Sequence, residues 1–535
     1  MDCECLRFGE IPGSSRLFLD FLALTPSARK FYPTSTTSVD QLAEQAKHLQ
    51  FPDDRRERVA AVLSRQNRSW RAGPETLDNI ERLRNGALAV VSGQQLGLFL
   101  GPAFTIYKAI TAIRLARELT VRGVEAVPVF WLAAEDHDLA EVNHVFVPDI
   151  HDGLPRLETA SQGKHAQPVG TIVLDADIET LTAELQKLIG DSETLGVVRE
   201  CYRSGQTFAQ AFAELMTGLF TRYGLILLES SDPELHEIGA PVFAAAVEKA
   251  EELTSAILER NRELEAAGYH AQVNVTASST LLFIVKHQSR VAVHRRNGGF
   301  AADAEQWTNE ELQRKVRSNP ELFSPNVLLR PVLQDYLLPT AAYIPGPAEA
   351  AYFAQAEIVY SEVLGRTTAL WPRFSATLAE PRLSSWMRKY GLELRDVLQP
   401  RDTFLALLAR RTVPADIKDD FDRTREHLDR LLAGLINSLK KVDATVAEAG
   451  ENAASKMRYQ LDHLEARAAK AHLQRTQVVE RHGSLLSTML FPDKELQERR
   501  IGGVYFLGKY GPDLIDALLE QYRPECRDHH VIHLD

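Results

Sequence analysis

The stretch ALAVVSGQQLGLFLGPAFTIYK, residues 87–108, decides the fold. Its first part, ALAVVSGQQ, is a short apolar run ending in turn residues, the pattern of a strand buried on both faces of a parallel sheet. Gly93, Gly97, Gly101 and Pro102 make a glycine-bearing loop after it. FTIYKAITAIRLARELTVRG then reads as an amphipathic helix ending near Gly123. VEAVPVFWLAA is a second buried strand, and it runs straight into Glu135-Asp136-His137-Asp138. Strand, loop, helix and strand make the opening unit of a doubly wound α/β sheet.

Outward from this unit the chain alternates in the same way. Before it, residues 1–85 read as mostly helical, with TSVDQLAEQAKHL and RRERVAAVLSRQNRSW apolar at helical spacing. After it, Phe208 to Arg222 reads as a helix and GLILLES as a strand. SDPELHEIGAPVFAAAVEKAEEL reads as a helix with Asp232 near its N-cap. LLFIVK and RVAVH read as a β-hairpin, and Thr308 with Glu311 as a capping box over ELQRKV.

The C-terminal third changes character. From about Pro414 the chain is charged and helical, without a proline until Pro492. Leu428, Leu432, Leu435, Leu439, Val442 and Val446 alternate steps of four and three, a heptad seam. The phase slips near Gly450 and resumes at Met457, Leu461, Leu464, Ala468 and Ala471. Two long antiparallel helices with a turn inside 441–452 fit this pattern; one continuous helix with a stutter is the alternative.

Composition bounds the function. The chain has 535 residues, 44% hydrophobic and 25% charged, which is ordinary globular composition. A net charge of −12 argues against broad nucleic-acid binding, which needs a basic footprint. It leaves room for an anionic small substrate in a local Arg/Lys pocket. No apolar run of about 18 residues appears, so no membrane span is expected. The N-terminus does not read as a signal peptide, so a cytoplasmic location is expected. The cysteines, Cys3, Cys5, Cys201 and Cys526, form no CxxC pair. A reducing compartment fits them, a thiolate zinc site is not expected, and none reads as a nucleophile. Cys526 and His529-His530 read as a tail near the surface.

Three segments carry candidate chemistry. In the first, residues 90–108, the glycines let a backbone approach a ligand and the helix start favours an anion. Gln94, Gln95, Gly101 and Thr105 are its candidate substrate-binding residues, and Lys108 a candidate catalytic cation for phosphate or carboxylate. The pattern is neither GxGxxG nor a P-loop. Its plain alternative is a tight strand–helix turn with a solvated lysine. In the second, AAEDHDLAEVNHVFV, His137 between carboxylates reads as a general base with its pKa raised by negative neighbours. Asp138 is the alternative catalytic base, with Glu135, Asp136 and Asn143 as binding residues. Metal-ligand spacing such as HExxH is absent, so no metal is expected. The alternative is an acidic helix N-terminus favoured by the macrodipole. In the third, residues 324–355, Arg330, Asp335, Tyr336 and Glu349 emerge from apolar stretches, with Gly346 in a rigid Pro-Gly-Pro turn. A core strand, a turn and a capped helix would look the same. Arg373, after Trp371-Pro372, is a further candidate for pairing with a carboxylate or phosphate.

GQQLGLFLGPAFTIYKAI, PVFWLAAEDHDLAEVNHV, SPNVLLRPVLQDYLLPTAAYIPGPAEAAYFAQ and LFPDKELQERRIGGVYFLGKYG resemble, in order and spacing, the cysteine-adding enzymes of bacillithiol biosynthesis. The resemblance spans nearly the whole chain. It implies an α/β fold with a Rossmann-type core, inserted connecting segments and a long antiparallel helical coiled-coil hairpin. The implied division is a helical segment over 1–85, the core over 86–380, the hairpin over 381–490 and a segment returning to the core over 491–535. It implies a homodimer formed through the coiled coil, and a ligase that joins L-cysteine by an amide bond to glucosaminyl-malate. Fold kinship with class I aminoacyl-tRNA synthetases brings in ATP or another nucleotide by analogy alone. HIGH and KMSKS motifs are absent, and Gly101 to Lys108 stand where HIGH would. The competing readings are another nucleotidyltransferase-like amide ligase and a dimeric scaffold that only binds a nucleotide or thiol.

Overall fold

In the computed structural model of the chain, which describes residues 2–149 and 153–535, the run after Ala87 is a strand, Leu88–Gln94, buried along nearly its whole length. It pairs in parallel with Ala126–Leu132 on one side and Thr340–Tyr343 on the other. Ile226–Glu229 pairs in parallel with Ala126–Leu132 and completes a four-stranded sheet. The chain therefore steps outward from Leu88–Gln94 to Ile226–Glu229, then returns to lay its last strand on the opposite side of the first. That reversal is a topological switch point, and ligands of open α/β sheets sit outside the strand carboxyl ends there.

The helix Phe104–Val121 packs on the first two strands and is buried around most of its circumference through Ile106, Ile110, Ile113 and Leu119. Each such side chain contributes about 1.5–3 kcal/mol by leaving water. The hairpin expected from LLFIVK and RVAVH is present as Ser279–Lys286 against Ser289–Arg296. Its two-residue link, His287-Gln288, holds both φ angles positive, at 49° and 71°, as the tight turn matching strand twist requires. Three shorter strands widen this into a five-stranded sheet. The expected caps at Asp232 and at Thr308 with Glu311 are both formed.

The chain's two ends differ from their expectation. Asp2–Leu6 is a strand, antiparallel to His529–His533, which pairs in parallel with Ala376–Ala379. The segment read as a surface tail is therefore an interior strand of a sheet, with His529 0% and His530 1% exposed. Backbone polar groups buried here need partners, and those come from residues hundreds of positions away.

The hairpin helices are Ala415–Leu439 and Ala444–Arg475, so no continuous helix runs through. Arg425 pairs with Asp462 and Glu465 near the base and Lys440 with Glu451 near the tip, so the helices are antiparallel. Asp443 caps the second helix by accepting from the backbone of Thr445 and Val446. The turn thus falls at 440–443, at the start of the expected span. The slip at Gly450 marks a close crossing instead: a Cβ there would lie 3.1 Å from the Leu439 side chain. Leu432 is buried in the seam, but Leu435, Val442 and Val446 are 55%, 75% and 42% exposed. Among the described residues no helix is long and apolar enough to cross a membrane.

Candidate active site

Outside the carboxyl ends of Leu88–Gln94 and Thr340–Tyr343 lies a hollow of about 290 Å³. It sits at the switch point, and all three segments singled out in the sequence contribute to it. Gly93, Gln94 and Gln95 come from the first strand and its loop, Lys108 from the following helix, and Asp136 from the end of the second strand. Arg330, Gly346, Glu349 and Arg373 close it from the far side. Gly93 is required by the sheet: a Cβ would stand 2.8 Å from the Trp131 carbonyl oxygen. The loop beyond is strained, with Phe99, Leu100 and Gly101 all at positive φ. Gly101, at φ 63° and ψ −152°, holds a conformation open essentially to glycine alone.

Lys108 is buried and spends every donor it has. Its ammonium donates to the Gly93 carbonyl at 2.7 Å and to Gln94 Oε1 at 2.9 Å, and pairs with Glu349 Oε2 at 2.5 Å. Burial lowers its pKa, against the pull of Glu349. Glu349 in turn accepts from the Gly346 backbone at 2.7 Å and the Tyr343 hydroxyl at 2.8 Å. Burial would raise its pKa, but Lys108 and these donors hold it below the usual carboxylate range. Lys108, read as a candidate catalytic cation with a solvated lysine as the alternative, is thus an interior clamp joining the first strand end to the Pro-Gly-Pro turn.

Asp136 forms a second node. Arg330 donates to its Oδ2 at 3.0 Å, and Arg290 to its Oδ1 at 3.3 Å. Arg290 was not singled out in the sequence; its one signal is a cation next to the apolar run Val291-Ala292-Val293. It lies over the Phe283 ring at 4.0 Å and donates to Ser324 and the Pro325 carbonyl. Arg373 forms a third node with Glu498, a buried carboxylate from the LQERRIGG segment. Glu498 also accepts from Ser375 and from the Ala376 backbone, and these partners outweigh burial and lower its pKa.

Other sequence candidates stand outside the lining. His137 and Asp138 are exposed. Asp138 caps the short helix Leu139–Val142, the structural role weighed for it. The expectation of a raised His137 pKa is reversed: partial loss of solvent around the ring first, then the Arg290 charge, lowers it despite Asp136 and Asp138. Glu135 is buried and pairs at 3.3 Å with His236, whose ring nitrogens also face the Ser230 and Pro320 carbonyls. Burial opposes charge on His236, but Glu135 and the carbonyls raise its pKa. Asn143 bonds Glu158, and Asp335 pairs with Arg366, where burial pushes its carboxyl up to about 7. Tyr336 lies under the Arg55 guanidinium, 3.5 Å from its ring centre.

A second hollow of about 340 Å³ adjoins the first and shares Gln94, Gln95, Phe104, Glu141 and Arg499 with it. It faces the N-terminus of Phe104–Val121, the positive end of that helix. The backbone N–H groups of Ala103, Thr105 and Ile106 already donate to carbonyls there, fewer free donors than the sequence implied. Thr105 lines this hollow with a buried hydroxyl that has no hydrogen-bond partner among the described residues. Arg499, exposed and in no ion pair among the described residues, bridges both hollows. Arg499 and Glu498 lie in a block quoted for its family likeness, but no residue-level signal gave either a place.

Residues 1–374 match the family described as Bacillithiol biosynthesis BshC, N-terminal Rossmann-like domain, and residues 376–534 match its C-terminal coiled-coil domain. A protein of Koribacter versatilis (strain Ellin345), named "Putative cysteine ligase BshC", is 46% identical over 529 residues, covering 99% of each chain. A protein of the same name from Solibacter usitatus (strain Ellin6076) is 36% identical over 99% of this chain and 100% of its own. One from Geobacillus thermodenitrificans (strain NG80-2) is 29% identical over 98% of this chain and 99% of its own.

Proposed function

This chain belongs to the BshC family of bacillithiol biosynthesis, and from that premise we propose that it is a ligase joining the carboxyl of L-cysteine to the amine of glucosaminyl-malate. The observation that carries the reading is the cationic hollow at the switch point, where Arg330 and Arg373 face a shared space. Each guanidinium has five N–H donors, and the described bonds occupy two on each. The remaining donors suit the two carboxylates of a malate group, which arginine grips in a fork.

Amide formation joins the amine nitrogen to the cysteine carboxyl carbon, breaks a carbon–oxygen bond and releases the amine's protons. An ammonium has no lone pair, so a base must act before attack. Asp136 and Glu349 are held by cations, which leaves Glu141 as the proton acceptor. It lines both hollows, accepts from Gln95 at 2.9 Å and meets no cation among the described residues. Lys108, its donors spent, is a positioning residue that fixes Gln94 and Glu349.

ATP or another nucleotide, when bound, would turn a carboxyl oxygen into a leaving group. The orphaned Thr105 hydroxyl and Arg499 fit its phosphates, at the positive end of the helix dipole. The hairpin's exposed Leu431, Leu435 and Val442 support pairing with a second copy. A cytoplasmic setting agrees with these small, charged substrates.

The test is direct. Purified protein with L-cysteine, glucosaminyl-malate and ATP is expected to yield the cysteinyl amide by mass spectrometry. Absence of product with every nucleoside triphosphate, from protein shown to be folded, contradicts the proposal.

A further inference from the structure

Cys5 and Cys526 are 521 positions apart in sequence, yet their sulfurs stand 3.1 Å from each other. Strand pairing brings them together: Cys5 lies directly opposite His530 in the sheet register, and Cys526 sits in the turn just before that strand. Directly opposed residues share a face, so Cys5 and His530 point the same way. One ligand atom from each of Cys5, Cys526 and His530 lies within 4.8 Å of the others, and this is the one such group of cysteine, histidine or carboxylate side chains among the described residues.

A second observation points to a ligand. His530 is 1% exposed, and neither ring nitrogen makes a hydrogen bond among the described residues. Buried polar atoms in folded proteins are almost always satisfied. The ring is fixed by Phe374 at 4.9 Å and Tyr522 at 6.4 Å, both edge-on. A rigid, desolvated imidazole with its lone pair beside two thiols lacks only an electrophile.

We propose that Cys5, Cys526 and His530 bind a soft divalent cation of the zinc class, with solvent in the fourth position. Cys5 is exposed, so solvent can reach the fourth position. Zn–S bonds of about 2.3 Å in a tetrahedron set two thiolates roughly 3.7 Å apart. That is a small outward rotation from the observed spacing, and neither thiol is fully buried. Binding releases both thiol protons to solvent, while neutral His530 donates its lone pair. The sequence argued against a thiolate site because it holds no CxxC; register, not spacing, assembles this one. The ion would clip the edge strand Asp2–Leu6 to the C-terminal strand, with none of its three ligands in the lining of either hollow.

The reduced, metal-free full-length chain is titrated with Co²⁺ alone. One equivalent is expected to give a tetrahedral cobalt spectrum with a thiolate charge-transfer band, and Zn²⁺ to displace it. Cys5→Ser and Cys526→Ser should each weaken the band at least tenfold, while Cys201→Ala retains it. Zn²⁺ should also raise the melting temperature of the parent and leave that of Cys526→Ser unchanged, which distinguishes a bound clip from misfolding. No Co²⁺ uptake by the parent, an unchanged band in the Cys5→Ser/Cys526→Ser double variant, or a Cys5–Cys526 disulfide trapped in rapidly alkylated extracts would each overturn the proposal.

Discussion

The Lys108 ammonium and the Glu349 carboxylate meet 2.5 Å apart beneath the hollow. They lock the end of the first strand to the turn that follows the last. Removing one partner leaves a buried charge alone, which costs about 3–5 kcal/mol, whereas removing both can be close to neutral. Lys108→Met and Glu349→Gln should each lower the free energy of unfolding by that amount, and the double variant by less than the sum. Urea unfolding of the four proteins measures the coupling, and strict additivity would mean that the clamp is not a pair.

Arg499 separates binding from folding. It has no ion-pair partner among the described residues and is exposed, so Arg499→Ala should change stability by no more than about 0.5 kcal/mol. A role in gripping anionic substrate predicts at least a roughly tenfold fall in kcat/KM, about 1.4 kcal/mol. A full-rate Arg499→Ala enzyme would remove this residue from the site.

The acid limit of stability should trace to His529. Its nitrogens lie 2.8 Å from the Ser375 and Thr377 hydroxyls, and burial lowers its pKa from the ordinary 6.5 to about 4 despite nearby Glu498. Between these values the unfolded chain binds the extra proton, so stability is complete above pH 6.5 and falls as pH drops toward 4. The loss is about 3 kcal/mol by linkage. Denaturant unfolding at stepped pH should show it in the parent and lose that share of it in His529→Gln.

The hairpin should hold two copies together. Leu431 and Leu435, 74% and 55% exposed, lie one helical turn apart on the first helix. Leu431→Glu with Leu435→Glu is expected to convert a dimer to a monomer in sedimentation velocity with helix content unchanged. A monomeric parent protein contradicts the pairing.

The sheet, its first helix and the hairpin were legible because local periodicity encodes them: Val90 and Val91, Ile106 and Ile110, Leu428 and Leu432 repeat at the spacing of their elements. The three segments lining the hollow were legible because glycines and charges interrupt apolar runs at strand ends. Which charge faces the hollow was not legible. Asp136 and His137 are adjacent, yet one bridges two arginines at the hollow and the other is exposed, a difference set by backbone direction after the strand. Arg290 and Glu498 arrive from an inserted hairpin and the far C-terminus, so no local pattern announces them. His529 read as a tail residue because nothing near it in sequence shows that Asp2–Leu6 and Ala376–Ala379 flank its strand.

The claim that the hollow is where the amide forms is tested most directly in host cells lacking the gene. Cells complemented with the parent chain should contain the cysteine-capped thiol, and cells carrying Arg330→Ala should accumulate glucosaminyl-malate with the thiol reduced at least about tenfold. Full thiol levels in the Arg330→Ala cells, at matched protein abundance, would contradict the account.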